Sequence, residues 1–126
     1  MDDGKKALDP TIIASQMVRA RESVCPIGKR FKFSVRRPTE MDLVRMRGPG
    51  GEVEVNLQCL QTCVFGWAGV LESDLVEGGA GDEYPFNPVI WMQFIADRAD
   101  LWEPLAKHIR DQVEGHAKRL EQLGKN

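Results

Sequence analysis

A chain of 126 residues has room for one domain with a single core. Its 42% hydrophobic and 29% charged residues are globular values, which exclude a disordered chain, and no apolar run approaches the roughly 20 residues of a spanning helix. A net charge of −2 gives the whole chain no reason to seek nucleic acid, and three cysteines with no apolar leader in Met1–Lys6 read as reduced thiols in a cytoplasm.

Residues 1–8 read as a disordered polar tail. Asp9-Pro10 then supplies an N-cap and a first helical residue, and Ile13, Met17, Ala20 and Val24 form one apolar stripe behind them. Cys25-Pro26-Ile27-Gly28 ends that helix. Phe31, Phe33 and Val35 alternate with Lys32, Ser34 and Arg36, the period of a half-buried strand with a basic outer face. Thr39, with Asp42 three residues on, opens a short helix carrying Leu43, Val44 and Met46, which Gly48-Pro49-Gly50-Gly51 stops. Glu52-Val53-Glu54-Val55 alternates briefly, either as extended chain or as the first turn of the next helix.

Val55, Leu57, Leu60, Cys63 and Val64 are too apolar to leave a wet face, so a central buried helix is expected from Asn56 to about Trp67. It runs into Val64-Phe65-Gly66-Trp67-Ala68-Gly69-Val70, where two glycines flank a tryptophan and let another backbone approach it. Gly66, Trp67 and Gly69 are therefore the expected hub of the core, together with Phe86, Trp91 and Trp102. Residues 71–86 read as a flexible acidic loop with a candidate partner-contact surface. Asn87-Pro88 repeats the cap of Asp9-Pro10 and opens a helix burying Ile90, Trp91, Phe94 and Ile95. Asp97-Arg98-Ala99 breaks it, and Asp100 with Glu103 caps the last helix, expected over 100–123. Along that helix Trp102, Ala106, Ile109, Val113, His116, Leu120 and Leu123 recur at spacings of four and three, a heptad seam. Its outer part, Val113, His116, Leu120 and Leu123, packs on the domain or offers a handle to another chain; both use the same anchors.

No catalytic, cofactor or metal site is expected. Cys59 and Cys63 lie one helical turn apart, but zinc takes four ligands and His108 and His116 are far away in sequence. No cysteine, histidine or acid falls in a strand–turn–helix elbow, and Gly48-Pro49-Gly50-Gly51 lacks the lysine and hydroxyl of a phosphate loop. The acidic residues of 71–86 lack the spacing of a calcium loop.

Val64-x-Gly66-Trp67-x-Gly69-Val70, an acidic loop, Pro85-Phe86-Asn87, Ala96-Asp97-Arg98 and Asp100-Leu101-Trp102 together resemble the tail assembly chaperones of long-tailed, siphovirus-like bacteriophages and prophages. The resemblance covers roughly residues 29–115; an N-terminal helical extension and a longer glycine-rich acidic loop depart from it. It implies a non-enzymatic, self-associating protein of the host cytoplasm, absent from the mature virion. Such a protein keeps the tape-measure protein soluble and helps recruit the tail-tube protein. It also implies a longer product by ribosomal slippage, for which the codons of Leu123-Gly124-Lys125-Asn126 offer room. Two other readings stand beside it: another phage morphogenesis part, for tail completion or head–tail joining, and a small nucleic-acid-associated regulator using the basic strand at 29–37. The expected fold is mainly α, a single domain of four or five helices around Trp67, with one short strand at 31–36 or a hairpin that adds 53–55.

Overall fold

The alternation of Phe31, Phe33 and Val35 builds the middle strand of an antiparallel sheet. The computed structural model describes residues 7–47, 50–51 and 54–124. Strands β1 (Glu22–Ile27), β2 (Phe31–Arg36) and β3 (Val64–Ala68) lie in the order β1-β2-β3. Cys25 sits opposite Phe33, Phe33 opposite Trp67, and Val35 opposite Val64, with a register shift between Ser34 and Val35. A strand turns successive side chains to opposite faces, so Cys25, Phe33 and Trp67 share one face. Phe33 and Val35 are fully enclosed there.

Six helices occur among the described residues: α1 (Pro10–Arg19), α2 (Glu40–Met46), α3 (Leu57–Cys63), α4 (Glu72–Leu75), α5 (Pro88–Ala96) and α6 (Ala99–Gly124). Their starts follow the sequence. The carboxylate of Asp9 accepts from Thr11 N, Asn56 Oδ1 from Cys59 N, and Asn87 Oδ1 from Val89 N and Ile90 N. Thr39 and Asp42 form a reciprocal capping box, at 3.1 and 2.9 Å. The fold is helix-dominant, 55% helix and 18% strand, with more strand than the sequence led one to expect. Helices α3, α5 and the first part of α6 pack together on the sheet.

Trp91 of α5 is the centre of this core. It is fully buried, its ring centroid lies 5.2 Å from that of Phe33, and its Nε1 donates to the Leu60 carbonyl at 3.2 Å. Trp67 is a neighbour rather than the hub. It is partly buried, edge-on to Trp91, Phe94 and Phe86, and its Nε1 donates to the Tyr84 carbonyl at 2.6 Å. Phe86 is likewise partly buried, and Trp102 is 38% exposed, its Nε1 donating to the Ile95 carbonyl.

Three boundaries differ from expectation. The central helix stops at Cys63, and 64–68 form β3 instead of its last turns. Val64 and Phe65 are β-branched and aromatic, and Gly66 disfavours helix, so the open edge of β2 captures them. The first helix ends at Arg19, and Glu22–Ile27 pairs along β2 as β1. Pro26 is tolerated because β1 is an edge strand. The hairpin partner of 31–36 is therefore β1, and residues 54–55 are in no strand. Glu54 instead donates its N–H to the Met46 carbonyl. The last helix begins at Ala99, before the expected Asp100–Glu103 capping box, and Asp100 pairs with the Arg98 guanidinium at 2.9 and 2.8 Å. Met1–Lys6 of the expected tail, Gly48-Pro49 of the helix stop, Glu52-Val53 and Lys125-Asn126 lie outside the described residues.

Gly69 is where glycine is required. Its φ is +80°, and a Cβ there would overlap the carbonyl of Arg30 in the turn between β1 and β2. The chain then enters 71–86, which holds more structure than a bare loop. It contains α4, Leu71 bridges to Glu83, and Tyr84 N–H donates to the Val70 carbonyl at 2.8 Å. Three acidic side chains of this segment bond to its own or adjacent backbone: Asp74 takes Leu71 N–H, Glu83 takes Gly69 N–H, and Glu72 takes Ala80 N–H.

Candidate partner-binding surface

Helix α6 has 26 residues, about 39 Å at 1.5 Å per residue. Leu101, Leu105, Ala106 and Ile109 are buried against the domain, and none of residues 110–124 is. Leu101 and Leu105 belong to the inward stripe that a strict heptad reading passes over, since Leu101, Leu105 and Ile109 recur every four residues. Of the expected seam, Val113 is half-buried and packs on the core edge. His116 Nε2 lies 3.5 Å from Glu40 Oε1, bringing α2 alongside. Leu120 and Leu123 are 43% and 67% exposed. The outer part of α6 is thus apolar side chains set among Lys118, Glu114 and Arg119.

Helix α1 is a second such surface. It has a polar and an apolar side, yet none of its ten residues is buried, and Ile12, Ile13, Met17 and Val18 all face solvent. Met41 and Val44 of α2 are exposed as well. Single exposed apolar residues are ordinary, but a helix with four exposed apolar residues and none buried is a candidate contact surface.

Between the 71–86 segment and α5 lies an open cleft of about 560 Å³. Leu75, Val76, Tyr84, Ile90 and Phe94 supply its apolar lining, and Glu72, Asp74 and Asp97 add carboxylates. Arg30 closes on Asp74 at 2.7 Å. Burial alone would raise the Asp74 carboxyl, but the bonds from Arg30 and Leu71 N–H hold it below the ordinary aspartate value. Arg98 lies over the rings of Phe31 and Phe94, and its bond to Asp100 raises it further above the ordinary arginine value.

One pair that sequence spacing does not announce joins Ser23 of β1 to His108 of α6, Oγ to Nε2 at 2.7 Å. A hydroxyl and an imidazole at this distance are what nucleophilic catalysis needs, but it also needs an orienter on the other ring nitrogen and a place for substrate. Neither the cleft beside α5 nor one between α2 and α3 is lined by Ser23 or His108, and Asp111, whose charge acts on the ring, is bonded to Lys107 at 2.8 Å. Burial lowers the His108 imidazole, so the pair ties β1 to α6 with a neutral ring. Cys59 and Cys63 are buried, their sulfurs 3.6 Å apart, and no group of three or more ligating side chains is found among the described residues. The hydrogen bond to Cys63, with burial, pushes the Cys59 thiol up.

The basic strand is partly spent inside the fold. Arg30 is paired with Asp74, and Arg36 with Glu22 at 3.5 Å while its guanidinium lies 4.4 Å from the Phe65 ring centroid. No described helix is long and apolar enough to cross a membrane. No family model, curated protein or solved structure matches this chain.

Proposed function

We propose that this chain is a non-enzymatic tail assembly chaperone of a long-tailed phage or prophage. It binds the tape-measure protein in the host cytoplasm, keeps it soluble, helps recruit tail-tube subunits and leaves before the virion is complete. The observation that carries the reading is the exposed apolar surface on two helices, α1 and the end of α6 at Leu120 and Leu123. Reversible binding to long helical segments calls for apolar anchors set among charges, and Leu120, Leu123, Ile13 and Met17 are of that kind. The acidic apolar cleft beside 71–86 supplies a further contact. The resemblance of the Val64–Val70 segment to that family names the partner. The pairing of Arg30 and Arg36 with Asp74 and Glu22 weighs against a nucleic-acid role for the basic strand.

Co-expression with the long helical protein encoded beside it, followed by pull-down and sizing, tests this. Co-purification and rescued solubility are expected. Leu120→Asp with Leu123→Asp should abolish the rescue without unfolding the domain, because both side chains are exposed. Val113 is the wrong site for that test, since it packs on the core. A neighbour that stays insoluble, or rescue unaffected by the double variant, refutes the proposal or its placement on α6 respectively. Finding the chain in purified particles would favour a tail completion or head–tail joining part instead.

A further inference from the structure

A second cleft, of about 420 Å³, opens where the end of the β1–β2 hairpin meets α2 and α3. Arg21, Arg36, Arg37 and Arg45 all line it, from three separate points in the chain. Asp42 is the one carboxylate among its lining residues; its Oδ2 accepts from Thr39 N–H, and its charge offsets part of that of Arg21 and Arg45. Arg37 is only 8% exposed, its Nη1 donates to the Pro38 carbonyl, and its buried Nε has no hydrogen-bond partner among the described residues. The same is true of Nε in Arg21 and Arg36. Glu22 takes one edge of Arg36; no described carboxylate lies within ion-pair distance of Arg21, Arg37 or Arg45.

A fold does not bury like charges together without cost. Arg37 is held below the ordinary arginine value, first by burial and then by the charges of Arg21 and Arg119. Buried donors normally find partners, and unpaired ones carry a desolvation penalty. Guanidinium groups present planar forks of donors that match oxyanions bidentately. Asn56, Gln58 and Thr62 line the same cleft and add polar atoms suited to hydrogen-bond the rim of a small ligand.

We infer that the cleft between the hairpin end, α2 and α3 is a binding site for a phosphate group, held by Arg21, Arg36, Arg37 and Arg45. A compact, multiply charged oxyanion suits it better than a nucleic-acid strand, because the arginines gather in one open cleft instead of following an extended face. This inference is independent of the chaperone reading.

Isothermal titration of the whole protein with inorganic phosphate and with pyrophosphate, at ionic strength matched by chloride, tests it. Saturable binding and a phosphate-dependent rise in Tm are expected. Arg45→Gln, at an exposed residue of α2, should weaken binding about tenfold, the loss expected for one charge-assisted hydrogen bond, and leave the Tm without phosphate nearly unchanged. Arg37→Lys keeps the charge but loses the fork and should weaken binding at least as much; if it fails to fold, Arg21→Gln takes its place. No saturable binding, or binding unchanged in Arg45→Gln, overturns the site. Tighter binding of an oligoglutamate peptide than of phosphate, lost in Arg45→Gln, overturns the phosphate assignment. So does tighter binding of a short oligonucleotide that inorganic phosphate does not displace.

Discussion

Replacing Trp91 by Phe tests whether the core is centred where the structure puts it. The side chain is fully enclosed among Phe33, Trp67 and Phe94, and its indole N–H is bonded to the Leu60 carbonyl. Phe keeps the six-membered ring but removes that donor, which costs about 1–2 kcal/mol. It also removes two to three carbons' worth of buried volume, about 2 kcal/mol at roughly 0.8 kcal/mol per CH₂. The sum, about 3–4 kcal/mol, is a large part of the 5–15 kcal/mol by which a typical domain is stable. With m near 1.5 kcal/mol/M the urea midpoint should fall by about 2 M at unchanged m. Trp67→Phe makes the control. Its ring is only partly buried and its acceptor, the Tyr84 carbonyl, lies nearer to water, so about 1–2 kcal/mol is expected. Equal losses, or a larger loss at Trp67, would refute the placement of the hub on α5.

Gly69→Ala should cost more than about 3 kcal/mol in thermal unfolding, because a positive φ and the overlap with the Arg30 carbonyl add. Gly78→Ala, with φ +81° but open space around it, isolates the first effect at about 1–2 kcal/mol; equal costs would remove the overlap from the argument. Burial lowers the His108 pKa, so the folded protein binds that proton less readily than the unfolded chain. Stability from this group is full above about pH 6.5 and falls as pH drops from there through the folded value, and His108→Gln should flatten the urea midpoint between pH 7.5 and 5.5. An identical slope in both proteins would refute it. Thr39→Ala should cost about 1 kcal/mol through the lost bond to Asp42 N–H, and a change below about 0.3 kcal/mol would dismiss the capping box.

What could be read from the sequence was local chemistry. Asp9, Thr39 and Asn87 cap helices because a short polar side chain before an apolar stripe satisfies N–H groups that nothing else reaches. The alternation at 31–36 is visible because one face is buried and the other wet. What was hidden was decided by pairing. Glu22–Ile27 contains a proline and no clear alternation, and becomes a strand only because β2 offers it hydrogen bonds. Val64–Ala68 continues an apolar run from a helix, and periodicity cannot tell where the run changes from helix to strand. Trp67 draws the eye through its glycines, but Gly69 serves the Arg30 carbonyl, and burial falls to Trp91, whose ring packs on Phe33 of the sheet and bonds to the Leu60 carbonyl of α3. The arginine cleft was out of reach altogether, since residues 21, 36, 37 and 45 meet only after the hairpin and α2 have folded.

The division of α6 follows from the same physics. Its first part is fixed to the core by Leu101, Leu105 and Ile109, all at or near zero exposure, so the helix axis is set before any partner arrives. Beyond Ile109 the anchors thin to Val113 and the His116–Glu40 contact, while Lys118 and Glu114 pair along the helix surface at 3.3 Å. Exposed pairs of this kind are worth only a few tenths of a kcal/mol, so they support the helix without locking its outer face. Leu120 and Leu123 are then presented on a preformed helix, and a partner need not supply the entropy of ordering it. On the proposed chaperone reading, two leucines would give a contact weak enough to release. Binding to a long partner would gain its strength by repetition along that partner, which is the behaviour a reversible coat requires.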